Sequence, residues 1–181
     1  MIAEYGKFAG NRILDWLLMH PTTPVSINEL ARILSVSPAT VLRYLTLLEK
    51  NTLIIRKPVG TAHIITLNGE SPLVLPLKKS VALLRLWEAG IQNIAPNAIS
   101  VAVYGSIASG AFDEKSDIDI LVIGEESNVD RTLALALEKT MNRQIQLTVL
   151  PWHRFESLKQ NRDPFLQSVL ANHVLIQGAD L

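Results

Sequence analysis

The chain has 181 residues, 48% of them hydrophobic and 19% charged, which fits one ordinary domain or two small ones and excludes a disordered class. Seventeen basic residues balance seventeen acidic ones, so no global basic field announces a nucleic-acid partner, although residues 1–70 carry a net charge of +2. With no cysteine, disulfides and thiolate metal sites are excluded. No uncharged apolar run approaches the roughly 20 residues of a membrane-spanning helix. The first seven residues lack the charged, apolar and small-residue order of a secretory signal. A soluble cytoplasmic protein with no membrane association is the expectation.

In chain order, residues 8–19 set Ile13, Trp16, Leu17 and Leu18 on one helical face, and Pro21 and Pro24 close that segment. Ser26 and Glu29 have the spacing of a capping box and predict a short helix through Leu34. Ser37-Pro38 is a second start signal, an N-cap followed by a proline whose missing donor costs nothing at the first helical position. The helix it opens runs to about Lys50, with Val41, Leu45 and Leu48 inward. Two β-type runs, 53–57 and 61–67, flank Pro58-Val59-Gly60 and predict a hairpin. Helix, short helix, capped helix and hairpin is the order of a winged helix-turn-helix.

Pro72 and Pro76 mark a linker, followed by a helix over 77–89. From Ile99 the pattern changes to alternating strands and helices. Strands are predicted at 99–104, 118–123, 144–150 and 174–177, with helices at 129–141, 153–160 and 164–170. The domains expected are 1–70, a connecting segment 71–94, and 95–181.

Ten residues separate Gly105-Ser106 from Asp117-Ile118-Asp119. On a strand, Asp117 and Asp119 project from one face, because side chains alternate with a period of two. Two adjacent carboxylates repel unless a cation lies between them, and hard oxygen ligands suit Mg²⁺. Upstream, an apolar strand ends at Gly105-Ser106 and enters a small-residue helical turn. Backbone N–H groups and a hydroxyl at such a turn receive a phosphate readily. A phosphate cradle beside a metal-binding carboxylate pair is apparatus for phosphoryl or nucleotidyl transfer. A lone Gly-Ser is usually a plain turn and a lone Asp-x-Asp a solvated strand end; their spacing and setting carry the inference. A dinucleotide-binding turn is a poor rival, since residues 105–110 lack its glycines.

Over roughly residues 95–150 the sequence closely resembles the minimal nucleotidyltransferases of the DNA polymerase β-like superfamily, in the motif and in its apolar flanks. The resemblance implies a two-domain α/β (α+β) chain whose C-terminal part is a mixed sheet flanked by helices. It also implies transfer of a nucleoside monophosphate from an NTP with Mg²⁺ or Mn²⁺ as cofactor. Gly105 and Ser106 would bind the nucleotide, and Asp117 and Asp119 would be catalytic and metal-binding. Active members usually carry a third carboxylate on the next strand. Here that strand offers Gln146 and Thr148, and a neutral amide cannot serve as a general base near neutral pH. Glu156 and Asp163 are the acids that could fold back in its place.

In the N-terminal half, Thr40, Arg43 and Tyr44 are the outward candidates to reach bases or phosphates of duplex DNA. Arg56 and Lys57, with His63, are candidates on the wing. A homodimer is expected, because one small recognition helix covers few base pairs. Four histidines show no zinc-ligand spacing, and Trp16, Trp87 and Trp152 read as core or interface anchors. Three readings follow. One is a DNA-binding regulator whose second domain binds Mg-NTP with weak or lost catalysis. Another is an active nucleotidyltransferase acting on a small molecule or a small helical protein partner, as antitoxin-like members act on a toxin. The third, a plain interaction protein with both folds as scaffolds, is disfavoured by the intact Gly-Ser and Asp pair.

Overall fold

The computed structural model describes residues 5–60 and 62–181. They form two compact units, one ending at Val81 and the other running from Ala82 to Leu181. Residues 1–4 of the stretch read for a signal, and Thr61 at the expected start of the second hairpin strand, lie outside the described residues.

The first unit orders α1 (Ala9–Met19), β1 (Val25–Ser26), α2 (Ile27–Leu34), α3 (Pro38–Lys50), β2 (Ile54–Val59) and β3 (Ala62–Leu67). Its core is one apolar cluster in which Ile13, Leu17, Leu30, Val41, Leu45 and Ile65 are essentially inaccessible to solvent. The helix starts follow the expected capping chemistry. Ser26 Oγ accepts from the Glu29 backbone N–H at 3.2 Å, the serine half of the capping box. Ser37 Oγ accepts from Thr40 N–H at 3.1 Å, with Pro38 in the first turn.

Two expectations change in this unit. The hairpin strand continues through Pro58 and Val59, which pair with His63 and Ala62, leaving Gly60 in the turn at φ +60°. Proline is tolerated there because β2 is an edge strand of the order β1-β3-β2, and an absent donor need not interrupt the ladder. The second change is β1, whose Val25 pairs with Ile65 and converts the hairpin into a three-stranded sheet.

Helix α4 (Val74–Glu88) begins earlier than the prolines imply. Pro76 lies in its first turn, where backbone N–H groups have no intrahelical acceptor and the missing one is harmless.

The second unit continues with β4 (Ser100–Tyr104), α5 (Gly105–Ser109), β5 (Ile118–Ile123), α6 (Arg131–Met141), β6 (Ile145–Leu150), α7 (Trp152–Gln160), α8 (Pro164–Ala171) and β7 (His173–Gly178). The sheet order is β6-β5-β4-β7, with β4 antiparallel to both neighbours and β5 parallel to β6. This is the expected mixed sheet flanked by helices. The parallel pair needs a crossover, and α6 supplies it. Period-two alternation sends Leu121, Ile123 and Leu150 to one face, in a cluster with Phe155, Leu166 and Val169 of α7 and α8. Ile118, Ile120 and Val122 point to the other face and are fully buried. Both faces of β5 are therefore packed, and the strand's only polar side chain is Asp119, near its start.

The Ser37 cap is a direct test of local structure against packing. Ser37→Ala is expected to cost about 1 kcal/mol and Ser37→Asp only a small fraction of that. Urea unfolding of the two variants, followed by circular dichroism, measures both.

Candidate functional site

The site is assembled where β4 ends and β5 begins. The antiparallel register sets Tyr104 directly opposite Asp119, and the parallel register sets Asp119 beside Gln146. Directly opposed residues share a face, so Tyr104, Asp119 and Gln146 form one polar row across three strands. Asp117, two residues before Asp119, joins the row from the loop preceding β5. The Gln146 amide Nε2 donates to Asp117 Oδ2 at 2.6 Å.

Gly105 follows Tyr104 with φ +67°, a left-handed conformation that favours glycine. A Cβ at this position would overlap Asp119 Oδ2. Glycine is thus required twice here, once for its backbone angle and once so that the carboxylate can lie against the main chain. Gly105 and Ser106 then open α5, whose last residue, Ser109, donates from Oγ to the Ser106 carbonyl at 3.0 Å. The expected conjunction of a small-residue turn with two carboxylates is therefore present in space as well as in sequence.

The electrostatics of the pair match its crowding. Burial raises the Asp119 pKa above the ordinary aspartate range, and the Asp117 charge adds to the rise. Tyr104 is also raised, by burial first and by Asp119 in addition, against the opposing effect of its bond to Thr148 Oγ1 at 3.0 Å. Phe165 meets the Tyr104 ring edge-on, with centroids 5.7 Å apart. Two half-buried carboxylates side by side form a donor set suited to a hard divalent cation, whose charge offsets the cost of ionising Asp119 there.

The acids proposed as substitutes for the third carboxylate stand differently. Asp163 caps α8, accepting from Leu166 N–H at 3.1 Å, and Glu156 lies in α7. Among the described residues, no cluster of three acids or histidines is placed to hold a metal ion.

The candidate DNA contacts divide into engaged and exposed groups. Arg43 is exposed, with its guanidinium 5.1 Å from the centroid of the Tyr44 ring, and Lys57 and His63 are exposed on the wing. Thr40 is half-buried and its Oγ1 lies 2.9 Å from Ser37 Oγ. Tyr44 packs against the N-terminal core, with its ring so close to Gly10 that a Cβ there would collide. Arg56 forms an ion pair with Glu49 through Nε at 2.7 Å and through Nη2, which holds the Glu49 carboxyl below its usual range.

Sequence reasoning passed over Tyr104 and Arg143. Tyr104 looked like the last residue of an apolar strand, and only the ladder reveals its place beside Asp119. Arg143 had no signal at all, being a single basic residue after a helix. Its guanidinium is buried beneath the loop that leads to Asp117.

Comparison with curated proteins finds no match. Two solved structures are similar in part. Reduced HlyU from Vibrio cholerae N16961 shares 22% identity over 48% of this chain and 83% of its own, at a TM-score of 0.35. A toxin–antitoxin crystal structure with AMP-PNP shares 20% identity over 52% of this chain and 72% of its own, at a TM-score of 0.37. Family models match both halves of the sequence. Residues 11–60 match the HTH domain, and residues 88–173, which include Gly105, Asp117 and Asp119, match the nucleotidyltransferase domain. The chain joins an N-terminal helix-turn-helix domain to a nucleotidyltransferase domain.

Proposed function

We propose that the protein is a DNA-binding regulator whose nucleotidyltransferase domain binds Mg-NTP and transfers its nucleotide slowly or not at all. The observation that carries this reading is the 2.6 Å bond from Gln146 Nε2 to Asp117 Oδ2. Gln146 is the strand neighbour of Asp119, the place where a third acid would complete the set. A donor amide at that place contributes no negative charge and cannot take a proton from an acceptor hydroxyl.

Each group retains a role in binding. The N–H groups that open α5 and the Ser106 hydroxyl receive phosphate oxygens. Gly105 keeps the main chain free of a side chain, so that the phosphates and Asp119 can approach together. Asp117 and Asp119 hold a divalent cation, Mg²⁺ or Mn²⁺ by donor chemistry. That cation, when bound, neutralises charge on the triphosphate. What the residues do not supply is a base for the incoming nucleophile.

Replacing both acids, in Asp117→Asn with Asp119→Asn, is expected to abolish cation-dependent ATP binding in calorimetry. The same variant is expected to melt at a higher temperature than the parent at neutral pH without cation, because the half-buried Asp119 charge, disfavoured by burial and by its neighbour, is gone. Unchanged nucleotide affinity would remove the acids from the site.

Gln146→Asp restores an acid on β6. Mn²⁺ titration is expected to reveal a second bound cation, and any residual transfer of label from radiolabelled ATP should rise by about tenfold or more, within the range ascribed to general-base catalysis. Rapid labelling of a protein partner by the unmodified chain would instead favour the antitoxin-like reading, with a small helical partner as acceptor.

For the N-terminal domain the proposal is duplex DNA binding as a homodimer, with α3 presented to the major groove and Arg43 and Lys57 at phosphates. Arg56, paired with Glu49, contributes less than its charge implies. In mobility-shift titrations across salt, Arg43→Ala and Lys57→Ala should each weaken binding and lower the salt slope by about one unit. Arg56→Ala should change the slope less, and a slope equally sensitive to all three would contradict this ranking.

A further inference from the structure

The segment joining α5 to β5 has no regular structure, yet it must deliver Asp117 to a defined point. It is built as a closed turn. Asp113 Oδ1 accepts from Lys115 N–H and from Ser116 Oγ, both at 2.9 Å, and Ser116 Oγ accepts in turn from Asp113 N–H at 2.9 Å. Beneath it lies Arg143, 8% exposed, just beyond the end of α6. Its Nη1 donates to the carbonyl of Asp113 and to that of Ser116, the latter at 2.8 Å. The guanidinium also lies 5.0 Å from the centroid of the Phe112 ring.

The Ser116 carbonyl is the informative acceptor. It belongs to the same planar peptide unit as the nitrogen and Cα of Asp117, so fixing the oxygen fixes where the Asp117 side chain starts. Gln146 then holds the far end of that side chain. Acids at 113, 114, 117 and 119 crowd this short stretch, with Lys115 the only basic residue among them. Arg143 therefore offsets repulsion as well as closing the turn.

The geometry points to Arg143 as a positioning residue for the cation site: its guanidinium clamps the turn that delivers Asp117, and divalent-cation affinity depends on the clamp. This rests on the reading of Asp117 and Asp119 as cation ligands. The sign of the effect separates positioning from bulk electrostatics. Removing a positive charge near carboxylates should, by Coulomb attraction alone, tighten cation binding. Releasing a clamp should weaken it, because small misplacements of a ligating group are costly.

The test uses the full chain and Mn²⁺ alone, titrated by electron paramagnetic resonance, with folding checked by circular dichroism. Arg143→Ala is expected to raise the Mn²⁺ Kd by about tenfold or more. Arg143→Lys, which keeps the charge without the guanidinium's geometry, should fall between, and millimolar guanidinium should partly restore Arg143→Ala. Amide hydrogen exchange over residues 113–117 in cation-free protein should speed up in Arg143→Ala, with the β4 and β5 ladder unchanged. An unchanged or lowered Kd would overturn the proposal, and so would unchanged exchange. If Arg143→Ala does not fold, Arg143→Lys carries the same two readouts. Absence of Mn²⁺ binding by the parent chain would overturn the cation reading of the acids, and the exchange measurement would still decide the clamp.

Discussion

Antiparallel pairing of β4 with β5 brings the end of one strand against the beginning of the other. Tyr104 faces Asp119 across that ladder, so the residue after Tyr104 must turn away over the Asp119 carboxylate. Only a residue without a side chain can do so, and Gly105 occupies the position in a left-handed conformation. The short helix that follows inherits its direction from this turn, and its open N-terminus inherits its nearness to the acids. Site and sheet are therefore a single construction, in which a shift of register by one residue would move Asp119 to the opposite face.

The same ladder explains the chemistry at the site's two ends. On the β6 side an amide meets Asp117 and removes none of the carboxylate crowding by protonation. On the β4 side Tyr104 is tied to Thr148 and flanked by Phe165, so its hydroxyl is spoken for. The raised Asp119 pKa records burial first and the neighbouring Asp117 charge second, the condition under which a divalent cation contributes most.

How much of this was legible beforehand depended on the range of the interaction involved. Asp119 could be read because alternation along a strand is local, Asp117 because it stands two residues before it although the strand starts only at Ile118, and Gly105-Ser106 because an apolar strand stopped abruptly. The Ser26 and Ser37 caps were legible for the same reason: a cap and its acceptor lie three residues apart. Pro58 and Pro76 misled because a proline's effect depends on what lies beside it. An edge strand absorbs one, and a first helical turn absorbs the other. The short strand at Val25 was hidden because its partner, Ile65, is far along the chain. Arg143 was out of reach for a stronger reason, since its acceptors are main-chain carbonyls, which carry no mark in the sequence.

Gln146 stands on β6, an edge strand with one neighbour, and its side chain is exposed. Replacing it disturbs no packed core. A glutamine codon becomes a glutamate codon through one base change. The exchange would break the bond to Asp117 and set a third carboxylate beside two others, so its cost would fall on the electrostatics of the polar row and not on the packing of the sheet.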